Sequence, residues 1–169
     1  MLLVSTSFRY TPDVDETRWL GSKELEAWVR FAAVLELLPG LLDGQLTRDE
    51  GLTHFDYFTL AMLSEAPERT LRITALAEQT NATLPRLSRV IGRLERDGYV
   101  QRTPYEQDRR VTNATLTAAG WEKVVHAAPG HVATVRTLVI DALTSAQVAE
   151  LSTICARLLS TIEPMDAPS

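Results

Sequence analysis

The chain has 169 residues, 45% of them hydrophobic and 23% charged, with a formal net charge of −5. That composition supports one compact domain, or a domain with an oligomerisation arm, and excludes global disorder. Cys155 is the single cysteine, so no intramolecular disulfide can form, and no stretch approaches the ~20 apolar residues of a membrane span, so a cytoplasmic setting with no membrane partner is expected.

Residues 1–16 lack a basic region followed by a long apolar one and read as a flexible arm, not a signal peptide. A helical segment follows from about Thr17 to Leu42, with Trp19, Leu20, Trp28, Val29, Ala32 and Leu35 as its apolar residues. Pro39-Gly40 is expected to bend or end it. The tryptophans suit a core or an interface, with a ligand box as the alternative. Thr53 can cap a short helix to about Glu65, which Ala66-Pro67 breaks. Thr70-Leu71 is extended, and Ile73 to Thr80 is a two-turn helix with Ile73, Leu76 and Ala77 inward. After a turn at Asn81-Ala82-Thr83, Thr83 can cap a helix to about Asp97. Pro85 is tolerated in its first turn, where the missing N–H is not needed, and Gly98 is a stop able to adopt positive φ. Tyr99 to Pro104 and Val111 to Leu116 read as two strands joined by a polar turn at Tyr105 to Arg109.

Helix, turn, helix, hairpin is the order of a winged helix-turn-helix. The chain is therefore expected to be mostly α with a small β-hairpin wing, the DNA-binding unit spanning 53–117. Thr117 opens a further helical segment with Val124, Val125, Val132, Val135, Leu138 and Val139, where Pro129-Gly130 is expected to kink or break the helix. Thr144-Ser145-Ala146-Gln147 fits a capping box opening a last helix, and residues 164–169 read as a disordered tail. The apolar stripes of 17–52 and 118–163 exceed what the winged unit needs. They are expected to pack together and against a second copy, giving a two-fold dimer, with capping of one monomer's core as the alternative.

Charge is unevenly placed. From Arg69 to Arg110 there are nine Arg and five acidic residues, a balance of +4 against −9 for the remainder. A basic centre between acidic arms reads as a nucleic-acid footprint. Its focus is the helix over 83–97. Arg86, Arg89, Arg93 and Arg96 fall within an arc of roughly 80°, while Leu84, Leu87, Ile91 and Leu94 are spaced for burial on the other side. The candidate contacts are Thr83, Pro85, Arg86, Ser88, Arg89 and Arg93. Arg86 and Arg89 are best placed for base edges in the major groove, Thr83 and Ser88 suit phosphate or base contact, and Arg93 suits backbone phosphate or an acidic neighbour. Arg96 lies between Glu95 and Asp97 and suits phosphate or a local ion pair. On the hairpin, Asp108-Arg109-Arg110 makes sense if the carboxylate holds one guanidinium and aims it into a narrow minor groove. An ordinary charged hairpin tip is the alternative.

The text LSRVIGRLERDGYVQR, the DRR at 108–110 and LTAAG at 116–120 occur in the order and spacing of the MarR-type bacterial transcriptional regulators, which the chain resembles closely over about Leu52 to Gly120. The resemblance implies a homodimer that binds a roughly palindromic site in double-stranded DNA through helix 83–97. It also implies that Asp108 orients Arg110 into the minor groove while Arg109 contacts the backbone. Gly92 and Pro85 depart from the usual pattern; Gly92 is expected to cost about 1 kcal/mol of helix propensity. Repression is the commoner outcome in similar proteins. The resemblance further implies release by a small aromatic effector, for which Trp19, Trp28, Phe31, His54, Phe55 and Phe58 are candidate cleft residues, with a purely core role as the alternative.

Cys155 lies on an apolar stripe with Ile154 and Leu158 and reads as a buried small hydrophobe; an oxidant-sensing thiol is the alternative. His54, His126 and His131 have no ligand-like spacing with it, so neither metal nor cofactor is expected. An enzyme is not expected either, since phosphate-loop, metal-pair and nucleophile patterns are missing. A winged-helix module that binds protein instead of DNA remains the competing class.

Overall fold

The computed structural model describes residues 17–105 and 108–162, with the side chains of 108–111 outside that description. The flexible arm expected over 1–16 and the tail expected over 164–169 both lie outside the described residues. The chain divides into two units, 1–37 and 38–169. It is mostly helical, with a small three-stranded antiparallel sheet.

Helix α1 spans Ser22–Glu50, starting later and ending later than the sequence suggested. It passes through Pro39 and Gly40 without stopping. A mid-helix proline costs one backbone bond, and here burial of Leu42, Gln45 and Leu46 in the following turns keeps the helix going. The stop is Gly51, at φ +67, whose N–H bonds the Thr47 carbonyl at 3.1 Å in an αL cap. In the first unit, α1 leaves Trp28, Val29 and Phe31 exposed, as is Trp19 ahead of it. Neither tryptophan is core among the described residues, which removes the core half of the expected core-or-interface role and not the interface half.

The second unit holds the core. Helix α2 (His54–Glu65) starts at a full capping box. Asp56 N–H donates to Thr53 Oγ1 at 3.1 Å, and Thr53 N–H donates to Asp56 Oδ2 at 3.0 Å. A short 3-10 turn over Pro67–Arg69 leads into β1 (Thr70–Arg72). Helix α3 (Ile73–Gln79) and helix α4 (Leu84–Arg96) enclose a turn in which Asn81 takes φ +48, a conformation its short polar side chain tolerates. Leu87, Val90, Ile91 and Leu94 of α4 are buried. Leu84 is not: it is 47% exposed, because it opens the helix at the edge of the stripe, and Val90 takes the fourth inward place.

Strands β2 (Val100–Tyr105) and β3 (Asp108–Leu116) form the wing. The expected two-strand hairpin is a three-stranded sheet, ordered β1-β3-β2, because Thr70, Leu71 and Arg72 pair with Thr115, Ala114 and Asn113. Pro104 is accommodated because β2 is an edge strand. Strand β3 begins three residues before the expected start at Val111, since Tyr105 pairs with Asp108. Asp108-Arg109-Arg110 is thus strand backbone instead of turn.

Helix α5 (Ala118–Val135) runs through Pro129-Gly130 unbroken. Pro129 deprives the Val125 carbonyl of its helical donor, and Val125 is 52% exposed, so water can replace it. The irregularity comes later, in a π-turn at Arg136–Ile140, where the Asp141 N–H bonds the Arg136 carbonyl at 2.8 Å. Helix α6 (Ser145–Ile162) starts at the expected box, with Thr144 N–H donating to Gln147 Oε1 at 2.9 Å and Gln147 N–H to Thr144 Oγ1 at 3.3 Å. Helix α6 buries no residue. Cys155 is accordingly exposed in the single chain, not buried as expected: the stripe it lies on is uncovered among the described residues.

Candidate nucleic-acid interface

Core packing sets the direction of α4. With Leu87, Ile91 and Leu94 fully buried, the opposite side of the helix must carry its arginines outward. Thr83 starts the helix, its hydroxyl accepting the Arg86 N–H at 3.4 Å, and Pro85 sits in the first turn. Thr83, Pro85, Arg86, Ser88 and Arg89 are all exposed.

The four arginines differ in their partners. The Arg86 guanidinium lies 4.1 Å above the centre of the Phe55 ring, a cation–π contact. Arg89 projects to solvent between its neighbours. Arg93 forms an ion pair with the buried carboxylate of Asp56, so the phosphate role expected for it is at least shared with an internal one. Arg96, for which phosphate or a local ion pair was expected, donates from Nε to the Gly92 carbonyl at 3.2 Å. Glu95 turns to the wing, accepting from Arg102 N–H at 3.2 Å and Arg102 Nε at 2.8 Å. Those bonds hold its carboxyl below the ordinary carboxylate range.

The wing is fixed to α4 at its root. The Tyr99 N–H bonds the Leu94 carbonyl at 2.8 Å, and Gly98 takes φ +79 between helix and strand. Thr117 Oγ1 donates to the Gly98 carbonyl at 2.7 Å and accepts the Gly120 N–H at 3.0 Å, capping α5 and holding the wing root with one hydroxyl. Gly120 lets the Tyr99 carbonyl approach: a Cβ there would lie 2.1 Å from that oxygen. The LTAAG motif is therefore a joint between wing and α5. Arg72 stacks 4.3 Å from the Tyr105 ring centre on the same sheet. The Asp108, Arg109 and Arg110 side chains lie outside the described residues.

The candidate effector-cleft residues fall in both units. Trp19, Trp28 and Phe31 belong to the first unit, where the Trp28 and Phe31 rings are 6.4 Å apart. In the second unit, Phe55 faces α4 under Arg86, whereas His54 and Phe58 stack with ring centres 6.4 Å apart. His54 lies 5.6 Å from His131 on α5, and Tyr57 lies 4.6 Å from it. Burial lowers the pKa of both histidines; Asp43 opposes that at His54, and the His54 charge adds to it at His131. No group of three or more metal-ligating side chains occurs among the described residues. Sequence reasoning missed Asp56 and Arg102 as partners of α4. The Thr53-x-x-Asp56 spacing carried a signal for the cap, but nothing in the sequence announced the Arg93 or Arg102 pairs.

The sequence profile of the MarR family matches residues 52–112. A structure of Sco3205, a MarR family transcriptional regulator from Streptomyces coelicolor in complex with DNA, is 38% identical, with a TM-score of 0.86 over 90% of this chain and 96% of that one. The chain belongs to the MarR family. A second member from Streptomyces coelicolor, AbsC, is 36% identical, with a TM-score of 0.83 over 88% of this MarR-family chain and 99% of the other. The HTH-type transcriptional repressor YetL of Bacillus subtilis is 31% identical over 81 residues, 48% of each chain. The chain thus spans about half the length of the curated relatives it matches. No single helix among the described residues is long and apolar enough to cross a membrane.

Proposed function

We propose that this MarR-family chain is a cytoplasmic, sequence-specific DNA-binding transcriptional repressor that acts as a homodimer on a pseudo-palindromic operator. It works by binding, not by catalysis. Helix α4 enters the major groove, with Arg86, Ser88 and Arg89 toward bases and Thr83 toward phosphate. Asp108 orients Arg110 on the wing into the minor groove, with Arg109 on the backbone. The observation that carries this reading is α4 itself: one face is locked into the core and the other presents arginines. Similarity to Sco3205, whose structure is in complex with DNA, supports the same reading.

The winged unit at 53–117 does the reading, and the flanking segments 17–52 and 118–163 form the dimerisation region. Supporting that division, α6 buries nothing, and Trp28, Val29, Leu35, Val125, Val132, Ile154, Leu158 and Ile162 are exposed apolar residues, a load that monomers rarely carry. Release by a small aromatic effector belongs to the same proposal.

The test is binding to duplex DNA from the region flanking the protein's own gene, across a salt series and with candidate aromatic acids. Affinity should fall steeply and linearly on a log–log plot against salt. Salt-insensitive binding, or none, would exclude the regulator reading and leave a protein-binding winged helix.

A further inference from the structure

We propose that Asp56 is a positioning residue for DNA recognition, setting α4 through Arg93 while the adjacent Phe55 seats Arg86. With α4 so set, Arg86 and Arg89 keep their aim at base edges. This deepens the proposed function and rests on α4 being the recognition helix.

Asp56 is 3% exposed, and its two oxygens do different work. Oδ2 accepts the Thr53 N–H at 3.0 Å and the Thr53 hydroxyl at 2.7 Å, closing the cap of α2. Oδ1 accepts from Arg93 Nη2 on α4. A carboxylate withdrawn from water needs charged or hydrogen-bonded partners around it, so Asp56 locks both its own helix start and the guanidinium that neutralises it. One residue earlier, the Phe55 ring lies under Arg86 at 4.1 Å. Arg86 and Arg93 are seven residues apart, two turns along one face of α4. The first turn of α2 therefore holds α4 at two points on that face. Two such points resist both rotation and tilt of the helix, which a single contact would not.

Reading a base edge depends on that control. An arginine fork discriminates guanine only when both N–H groups reach O6 and N7 together, and a site held loosely loses this first. Arg89, exposed between the two anchored arginines, depends on the helix setting for its aim. A purely structural Asp56 would cap α2 and affect folding stability without altering which sequences are bound.

The test compares the unsubstituted protein with Asp56→Asn, which keeps an acceptor for Thr53 but removes the charge facing Arg93. Each is titrated with a duplex selected from random sequence by the unsubstituted protein, and with a scrambled duplex of equal length at the same salt. The ratio of the two affinities should fall at least tenfold in Asp56→Asn, with the salt slope not reduced, because no phosphate contact is lost. Arg93→Ala should lower the ratio comparably, and the double variant should be no worse than either single one. Phe55→Leu, which retains apolar bulk, should lower the ratio too, and serves if Asp56→Asn does not fold. A ratio within twofold of the unsubstituted protein in folded Asp56→Asn or folded Phe55→Leu, or independent multiplying effects of Asp56→Asn and Arg93→Ala, would overturn the proposal. If the ratio drops in Arg89→Ala but not in Asp56→Asn, positioning fails and the DNA reading stands. If no duplex is selected at all, both fail.

Discussion

Gly120→Ala should be among the most damaging single substitutions in the molecule. An added Cβ would meet the Tyr99 carbonyl oxygen at 2.1 Å and Leu116 Cδ1 at 2.7 Å. Ordinary carbon–oxygen contact needs more than 3 Å, so strand and helix must separate by about 1 Å in a close-packed region. The same movement pulls on Thr117 N–H to the Tyr99 carbonyl at 3.0 Å and on Thr117 Oγ1 to the Gly98 carbonyl at 2.7 Å. Overpacking costs about 1–3 kcal/mol, and two weakened hydrogen bonds add about 1 kcal/mol each. The expected loss is therefore about 3–5 kcal/mol. Urea unfolding at matched protein concentration should show it as a midpoint shift of about 2 M, taking a slope of about 2 kcal/mol per M. A loss below about 1 kcal/mol would mean that the wing root and α5 can part freely, and the joint ascribed to LTAAG would be wrong.

Gly92→Ala should act in the opposite direction. No atom beyond its own helix lies within 4 Å of the added Cβ, so the substitution should stabilise by up to about 1 kcal/mol in thermal unfolding; destabilisation would reveal a contact that the fold does not show. Stability should also depend on pH through His54 and His131, whose folded pKa values lie below the ordinary 6.5. The unfolded chain then takes up protons first, so stability should be full above about pH 6.5 and fall as the pH drops through the folded values. Replacing His131 with Phe should flatten that part of the profile, and an unchanged slope would remove the histidines as its source.

Much of the fold was legible because local signals and burial agreed. Thr53, Thr83, Thr117 and Thr144 each mark a helix start, since a side-chain acceptor is needed there and little else competes. Leu87, Ile91 and Leu94 follow the helical period to full burial. Breakers were less legible. Pro39 and Pro129 each remove one backbone bond, but both helices continue through them. Thr70-Leu71 read as extended, but its place as a third strand was hidden, because three residues show no alternation to reveal their pairing with Thr115, Ala114 and Asn113. At the candidate site, the arginine stripe was visible but its partners were not: Asp56 is 37 residues from Arg93, and sequence spacing says nothing about a pair made across the core. Cys155 is exposed in the single chain for a related reason: an apolar stripe signals that something covers it without saying whether the cover is the same chain.

Counting arginines overstates the charge offered to DNA. Of the nine between residues 69 and 110, Arg93 is neutralised by Asp56 and Arg102 by Glu95, the latter at 2.6 Å. A guanidinium already paired with a carboxylate releases no counterion on meeting phosphate unless that pair breaks. The slope of log affinity against log salt falls by about 0.9 for each lost phosphate contact. Arg89 and Arg102 lie on the two elements thought to reach DNA, but only Arg89 is free of a carboxylate. In a dimer, Arg89→Ala should therefore reduce the slope by up to about 1.8 if Arg89 touches phosphate, or leave the slope and lower the specificity ratio if it reads a base. Arg102→Gln should change neither by much. A slope reduced by Arg102→Gln as much as by Arg89→Ala would mean that the Glu95 pair opens on DNA, and that the charge balance of the folded chain does not describe its bound state.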